Sequence, residues 1–282
     1  MRVAHVERLP GGVEIISGGT RKGSVKLNRP WQTALPYSKE TCPFEPDKLG
    51  VRKVYRKIEH WLELENLFTP HTFSRLIIPD TCWESGQLYS LGGVEEITNA
   101  LQLAFETMKN EPDRKEFWMG CHIGYLAGQN LGHLHWHLLE PPPRQSPVNR
   151  VEEFKDLTSS PFVLWSESGS RVVVGGHRAG QCFIFGNSLT FDQQTISIST
   201  NLTRLIRLGE IKFRSSQNLP PEFMIGLRFQ FQKVSSSIEF DYGWYLPILN
   251  HWGFNDYFAL LENRPIAHPW TLEDTFEHLS SP

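Results

Sequence analysis

Residues 122–143 read HIGYLAGQNLGHLHWHLLEPPP, and at their centre His133, His135 and His137 occupy every second position. In a β-strand, residues i, i+2 and i+4 lie on the same face. The three imidazoles are therefore expected on one side of a strand, with the apolar Leu134 and Trp136 buried on the other. The pattern predicts a strand that is anchored in a core and presents histidines on its opposite face.

The residues on either side of the histidines indicate a ligand site. The glycines of 124–132 allow the backbone to approach a ligand closely, and the prolines 141–143 end the strand. Imidazole can act as a nucleophile or acid–base on a phosphate ester, while backbone amides bind the anion. Two other interpretations stay open. Histidines that share a face also bind metals, and a motif match can be incidental.

This stretch resembles the signature of the histidine-triad superfamily, in which the middle histidine attacks the α-phosphorus of a nucleotide. The resemblance includes the Gly-x-x-Ala-Gly-Gln segment at 124–129 and the apolar residue after each histidine. It implies that His135 is the nucleophile, that His137 contacts the phosphate or the leaving oxygen, and that His133 completes the catalytic triad.

Two further segments resemble the galactose-1-phosphate uridylyltransferase branch of this superfamily. Residues 28–49, NRPWQTALPYSKETCPFEPDKL, are similar to its N-terminal region, which has Arg-Pro-Trp-Gln followed by a Cys-Pro-x-Cys zinc element. Residues 244–279, WYLPILNHWGFNDYFALLENRPIAHPWTLEDTFEHL, are similar to its closing segment. Residues 150–235 resemble the branch in outline only.

The resemblance also implies substrate contacts. Arg29 is expected to clamp a phosphate, a role that suits a planar guanidinium, although a surface charge is the alternative. Asn66 corresponds to an asparagine that contacts the ribose, but it lies in a turn-rich segment and turn formation explains it equally well. His122 stands where relatives carry Asn or Gln against the phosphate or ribose. Gln129 is expected to stabilise charge on the phosphoryl oxygens.

The chain departs from the branch in its zinc element. Cys42-Pro-Phe-Glu45 replaces the cysteine pair, and Cys82 follows Pro-Asp where the branch has a histidine ligand. Together with His133 these residues still offer four ligands of types that bind zinc, so a structural zinc and no organic cofactor are expected. Plain buried thiols are the alternative.

Periodicity predicts an α+β fold with two similar lobes. A short hairpin or an edge strand is expected within 1–27, where Gly11-Gly12 and Gly18-Gly19 flank an apolar run, with paired strands within 51–79, an amphipathic helix over 93–110 and a strand at 117–122. Further along the chain we expect strands at 162–165, 171–174, 182–185, 222–232 and 244–249, and helices around 199–208 and after Thr271. We therefore expect a duplicated histidine-triad-like unit with antiparallel strands and helices on one side: an N-terminal lobe, 1–145, which alone carries the triad, and a degenerate lobe, 150–282.

Composition excludes several classes of function. The 28 basic and 31 acidic residues give a net charge of −3, so no basic field favours nucleic acid. No apolar run is long enough to span a bilayer, and the N-terminal residues lack a signal-peptide h-region. With four scattered cysteines, a cytoplasmic enzyme without disulfides is expected.

These observations predict a nucleotidyltransferase or phosphorylase that acts on a nucleotide or nucleotide-sugar, with a sugar phosphate or phosphate as acceptor. His137 leaves transfer in doubt, because uridylyltransferases carry glutamine there while histidine is commoner in hydrolases. The alternatives are a nucleotide hydrolase and a nucleotide-binding module without turnover. The resemblance further implies a homodimer, since relatives complete each site with a partner chain.

Overall fold

The computed structural model describes most of the chain. The described residues are 4–8, 14–18, 40, 42–67, 69, 72–82, 93–114, 116–123, 131–140, 160–167, 170–174, 181–187, 191–217, 223–230, 235–242, 276–277 and 279–281. Outside them lie Arg29, Gln129 and the predicted strand at 244–249. The polar segment 144–160, which the sequence predicts to be a linker, also lies outside them except for its last residue.

A small hairpin is the first of the described elements, which is one of the two arrangements that the sequence predicted within 1–27. Strands β1 (Ala4–Arg8) and β2 (Glu14–Gly18) pair antiparallel and form a two-stranded sheet. A short 3-10 helix, Pro46–Lys48, follows in the segment that leads to the main body. Its first residue is proline, which suits the first position of a helix because no amide hydrogen is needed there.

The main body is a mixed α/β structure built on one antiparallel ten-stranded sheet. Its first five strands are β3 (Val54–Ile58), β4 (Trp61–Glu65), β5 (Ser74–Pro79), β6 (Glu116–Ile123) and β7 (Trp136–Leu139). The other five are β8 (Val163–Glu167), β9 (Ser170–Val174), β10 (Gln181–Asn187), β11 (Phe223–Gln230) and β12 (Ser235–Tyr242). The strand order is β3-β4-β5-β7-β6-β11-β12-β10-β9-β8.

Two long helices pack against each other beside this sheet. They are α1 (Val94–Lys109), between β5 and β6, and α2 (Phe191–Gln217), between β10 and β11. Buried side chains of both helices form one core with one face of the sheet. The core includes Leu101 and Phe105 of α1 and Leu202 and Leu205 of α2. Short helical turns at 276–277 and 279–280 add Leu279 to the same core.

The two halves of the sheet follow the same order of elements. In each half, three strands are followed by a helix and then by two more strands. The last strand of each half pairs between the third and the fourth, so it does not lie at an edge of the half. The first strand of each half also has a register shift between its first and third residues, Val54/Arg56 in β3 and Val163/Trp165 in β8. The halves meet where β6 pairs with β11.

The opposite face of the first half carries a second, smaller core. Its sheet residues are Leu62, Leu64, Leu76 and Ile78, and it is covered by buried residues of the segment before β3 and of the segment after β5. Period-two alternation explains the division, because Trp61 and Ile77 lie on the helix face instead. A glutamate, Glu63, also lies on the helix face, where only 2% of it is exposed.

None of the helices in the described ranges combines the length and apolarity needed to cross a bilayer. The strand over 235–242 was not predicted from the sequence. Helix α2 is also longer than expected.

Candidate active site

The histidine stretch alternates as predicted, but its regular strand is shorter. Leu134, Trp136 and Leu138 are fully buried in the helix-side core, so the intervening histidines lie towards the other face. Only His137 falls within β7, because the ladder with β5 ends at the pair Ile77–Trp136. The continuing register would place Pro79 opposite Leu134, and proline has no amide hydrogen to donate to a ladder.

His133 points into a buried cluster of metal-binding side chains. Its Nδ1 lies 3.3 Å from Sγ of Cys42 and 3.0 Å from Sγ of Cys82. Its Nε2 lies 2.8 Å from the carbonyl oxygen of Pro79. Because a carbonyl only accepts, Nε2 carries the proton, and Nδ1 presents a lone pair to the two sulfurs.

Glu45 completes this cluster. One of its carboxylate oxygens accepts a hydrogen bond from the amide of Cys82 at 2.8 Å. The ligand atoms of Cys42, Glu45, Cys82 and His133 all lie within 4.8 Å of one another. Burial raises the pKa of the Cys82 thiol, and the neighbouring Glu45 and Cys42 raise it further. A divalent cation would relieve that clustering of acidic groups, so the donor set fits a zinc ion.

His135 is held by the backbone next to this cluster. Its Nδ1 lies 2.9 Å from the carbonyl oxygen of His133 and therefore donates the hydrogen bond, which leaves Nε2 as the nitrogen with the free lone pair. Burial lowers the pKa of His135 to about 4, and the nearby His122 and His133 act in the same direction. The imidazole is therefore neutral near pH 7.

Phe44 covers both of these histidines. Its ring centroid lies 5.4 Å from that of His133 and 6.0 Å from that of His135. Only 3% of Phe44 is exposed, and the guanidinium of Arg52 lies over its ring at 5.1 Å. Sequence reasoning missed Phe44 and Pro79 as parts of the site. In the sequence, only their position near the cysteines indicated that they belong to the site.

His137 and His122 are less buried than His135. The ring centroids of His135 and His137 are 5.1 Å apart in a T-shaped arrangement. His137 pairs in register with Gly120 of β6, and continuing that register places His122 opposite His135. The three imidazoles therefore come from adjacent strands on one face, in a group that can hold a phosphoryl centre.

Asn66 lies further from the triad. Its Nδ2 donates a hydrogen bond to the hydroxyl of Ser74 at 2.9 Å. Ser74 pairs with Leu139, two residues beyond His137 along β7. Asn66 therefore lies on the same face as the triad but across two strand spacings from β7, which is about 10 Å.

Comparison with solved structures finds proteins that share this fold. No family model and no curated protein matches the sequence. Solved structures do match: a uridylyltransferase shares 15% identity and a TM-score of 0.61 over 98% of this chain and 97% of its own. An ADP-glucose phosphorylase from Arabidopsis thaliana with bound ADP-glucose shares 14% identity and a TM-score of 0.61 over 99% of both chains.

A DUF4931 family protein from Bacillus cereus is a third neighbour, with 12% identity and a TM-score of 0.53 over 81% of this chain and 98% of its own. At such identities the likeness concerns the fold. The resemblance stated from the sequence is confirmed at that level, because the chain shares its fold with the solved uridylyltransferase and ADP-glucose phosphorylase structures.

Proposed function

We propose that this protein is a nucleotidyltransferase or phosphorylase that acts at the α-phosphorus of a nucleoside diphosphate-sugar or a related nucleotide. The observation that carries the proposal is the hydrogen bond from Nδ1 of His135 to the carbonyl of His133. It assigns the tautomer of His135 and leaves Nε2 as its nucleophilic atom.

In the proposed reaction, Nε2 of His135 attacks the α-phosphorus and forms a P–N bond. The bond from phosphorus to the bridging oxygen breaks, and the leaving phosphate takes its electron pair. An oxygen of the acceptor, a sugar phosphate or inorganic phosphate, then attacks the phosphorus. The P–N bond breaks and its electron pair returns to Nε2. Splitting one displacement in two lets the acceptor bind after the first product has left.

His137 and His122 are proposed to serve the phosphoryl group. His137 lies close enough to His135 to protonate the leaving oxygen or to hold a phosphoryl oxygen. His122, whose register position is opposite His135, would contact the phosphate or ribose. Arg29, Asn66 and Gln129 remain proposals as phosphate, ribose and phosphoryl contacts.

A structural zinc ion is proposed at Cys42, Glu45, Cys82 and His133. When bound, it would compensate the charge of the buried thiolates and of the partly buried carboxylate and fix the ring of His133. His133 connects the proposed zinc site to the proposed nucleophile. Its Nδ1 faces the cluster, and its backbone carbonyl accepts the hydrogen bond from His135.

The two lobes, 1–145 and 150–282, are proposed to be copies of one unit. The shared strand order and the matching register shifts in β3 and β8 support this. Gly120 pairs with Gly226 across the junction of the halves, and the partner of Gly226 in β12 is Glu239, so Glu239 is proposed as the counterpart of His137. Strand β12 contains no histidine, so the second lobe is proposed to lack a nucleophile. We further propose a cytoplasmic homodimer.

Intact-mass measurement tests the proposal. The protein is exposed briefly to UDP-sugars, ADP-sugars and dinucleoside polyphosphates, and a mass increase of one nucleotidyl group is expected with at least one donor. The adduct should be absent from His135→Ala. A wild-type protein that turns over such a donor without any adduct would contradict the covalent mechanism, and no turnover at all would favour a binding module.

Hydrolysis is the second candidate function, and His137 is the observation that favours it. Histidine can assist an incoming water by accepting its proton, which a glutamine amide cannot do near neutral pH. The rate at which the isolated adduct decays with and without acceptors distinguishes the two functions. Acceptor-independent decay at the full steady-state rate would mean a hydrolase.

A further inference from the structure

Arg52 binds the short segment that connects two of the proposed metal ligands. Its Nη1 donates a hydrogen bond to the carbonyl oxygen of Pro43 at 3.2 Å, and its guanidinium lies over the ring of Phe44 at 5.1 Å. These two residues separate the ligands Cys42 and Glu45. A partly buried cation from the segment just before β3 therefore holds the whole connection between the two ligands.

The proposed donor set carries one more negative charge than a zinc ion balances. A cysteine that binds a metal is deprotonated, so Cys42 and Cys82 contribute two negative charges, and Glu45 contributes a third. His133 binds as a neutral imidazole. With Zn²⁺ in place one net negative charge is left, and both cysteines are buried. A buried charge is costly unless it has a partner of opposite sign.

Arg52 supplies a positive charge beside this cluster. Burial lowers the pKa of its guanidinium while Cys42 raises it, so the guanidinium and this cysteine interact electrostatically. An arginine keeps its charge at neutral pH. Lys57 is already paired with Asp80, the residue after β5, whose carboxylate lies 2.8 Å from its Nζ. Among the described residues, Arg52 is therefore the cation best placed to offset the excess charge.

The segment that Arg52 holds also contacts the cluster directly. The amide of Phe44 donates a hydrogen bond to Sγ of Cys42 at 3.4 Å. The ring of Phe44 packs against His133 and His135. Because Arg52 contacts the ring and the preceding carbonyl, it fixes the position of this amide as well as adding a charge.

We propose that Arg52 is the counter-charge of the metal site, which offsets the excess negative charge of the ligands and holds the connection between Cys42 and Glu45. The inference rests on the zinc site of the proposed function. Arg52 is a positioning residue, since it acts through the ligands and does not bind the metal itself. If the net charge is the reason for its presence, a neutral ligand in place of Glu45 removes the need for it.

The zinc affinity of the full chain without nucleotide tests this role, measured by competition with the chromophoric chelator pyridylazoresorcinol. Arg52→Met is expected to weaken zinc binding by about 10- to 100-fold, whereas Arg52→Lys keeps the charge and should retain most of the affinity. Arg114→Met is the matched control and should leave the affinity unchanged. Arg114 is also partly buried over a phenylalanine ring, but it pairs with Glu111 and Glu140.

A second background separates the charge of Arg52 from its structural contacts. In Glu45→His the ligands and Zn²⁺ together are neutral, so adding Arg52→Met should weaken zinc binding much less than it does with Glu45 present. The spectrum of the cobalt(II)-loaded protein reports the ligands. Thiolate-to-cobalt charge-transfer bands of unchanged intensity are expected in Arg52→Met, because both cysteines still bind the metal.

The outcomes separate this inference from the proposed function. Equal zinc affinity in the wild type and in Arg52→Met would overturn the role of Arg52 and leave the metal site standing. Equal losses in both backgrounds would overturn it too, since the effect would then be independent of the net charge. A wild type that binds no zinc would refute the metal site and this inference together. Absence of the nucleotidyl adduct, by contrast, would refute the covalent mechanism and leave the role of Arg52 unaffected.

Discussion

The carbonyl oxygen of His133 accepts a hydrogen bond from Nδ1 of His135 at 2.9 Å, while the ring of the same His133 faces two cysteine sulfurs. One residue therefore connects a cluster suited to a metal with the imidazole proposed as nucleophile. A change in the cluster that shifts the backbone of His133 would move the acceptor of His135 as well. The proposed metal site and the proposed nucleophile are therefore connected through one residue, although each can be tested by itself.

His135→Ala is expected to abolish turnover and adduct formation while leaving the fold intact. Removal of a nucleophile that acts with its partners as a unit costs a factor on the order of 10⁴ or more in kcat. Steady-state kinetics and circular dichroism measure the two properties. Near-full activity in the variant would assign the nucleophile to another group.

Protein purified without added metal is expected to contain about one zinc ion per chain by elemental analysis. Cys82→Ser should lower the zinc content sharply and reduce thermal stability, because it removes a ligand that is only 4% exposed. Cys121→Ser is the matched control, since Cys121 is also a buried thiol but belongs to the helix-side core. A zinc content of a small fraction of an equivalent in the wild type would exclude the site.

His137→Gln is expected to shift the protein towards transfer. Glutamine can hold a phosphoryl oxygen but cannot exchange a proton near neutral pH. Decay of the nucleotidyl–His135 adduct in water should therefore slow by about 10²-fold or more, while decay in the presence of a sugar 1-phosphate or phosphate acceptor should slow less. The adduct is isolated by rapid desalting and followed by mass spectrometry. Equal slowing of hydrolysis and of transfer would contradict the prediction, because it would mean that His137 serves the phosphoryl group in both reactions.

Glu63 is expected to make stability depend on pH. Burial raises the pKa of this carboxyl above its ordinary value near 4.5, even though Arg56 and Arg75 lie within 3.7 and 3.4 Å. The native state then holds this proton to higher pH than the unfolded chain does, so the stability that Glu63 contributes is present below pH 4.5 and is lost as the pH rises through the raised pKa.

Glu63→Gln cannot ionise and removes this dependence. The free energy of unfolding of the wild type, relative to that of the variant, should fall between pH 4.5 and neutrality. Urea titrations at several pH values measure it, with Glu65→Gln as a control for the loss of one acidic group from β4. A relative stability that rises with pH instead would mean that Arg56 and Arg75 outweigh the burial of the carboxylate.

Local patterns in the sequence were sufficient for most elements of the first half. The apolar spacing of α1 and the alternation of 117–122 depend only on near neighbours, and the structure confirms both elements. The second half was harder to predict. Helix α2 is rich in Ser, Thr and Ile, which are weak helix formers, and it is stabilised by the burial of one face over 195–206 in the core that it shares with α1 and the sheet. In β12 the alternation of Ile238, Phe240 and Tyr242 was the signal that was missed.

The sequence by itself determined the order of the histidines, their alternation with apolar residues and the types of ligand available near them. The tertiary structure alone decided which of these groups meet. Cys42 and Cys82 are 91 and 51 residues from His133, and they meet it because the segment before β3 and the segment after β5 pack over the same sheet face. The pairing of β6 with β11, which brings Gly226 beside Gly120, is likewise set by long-range contacts. Periodicity reports which face a side chain occupies, whereas the partner strand on that face depends on how distant segments bury their apolar surfaces together.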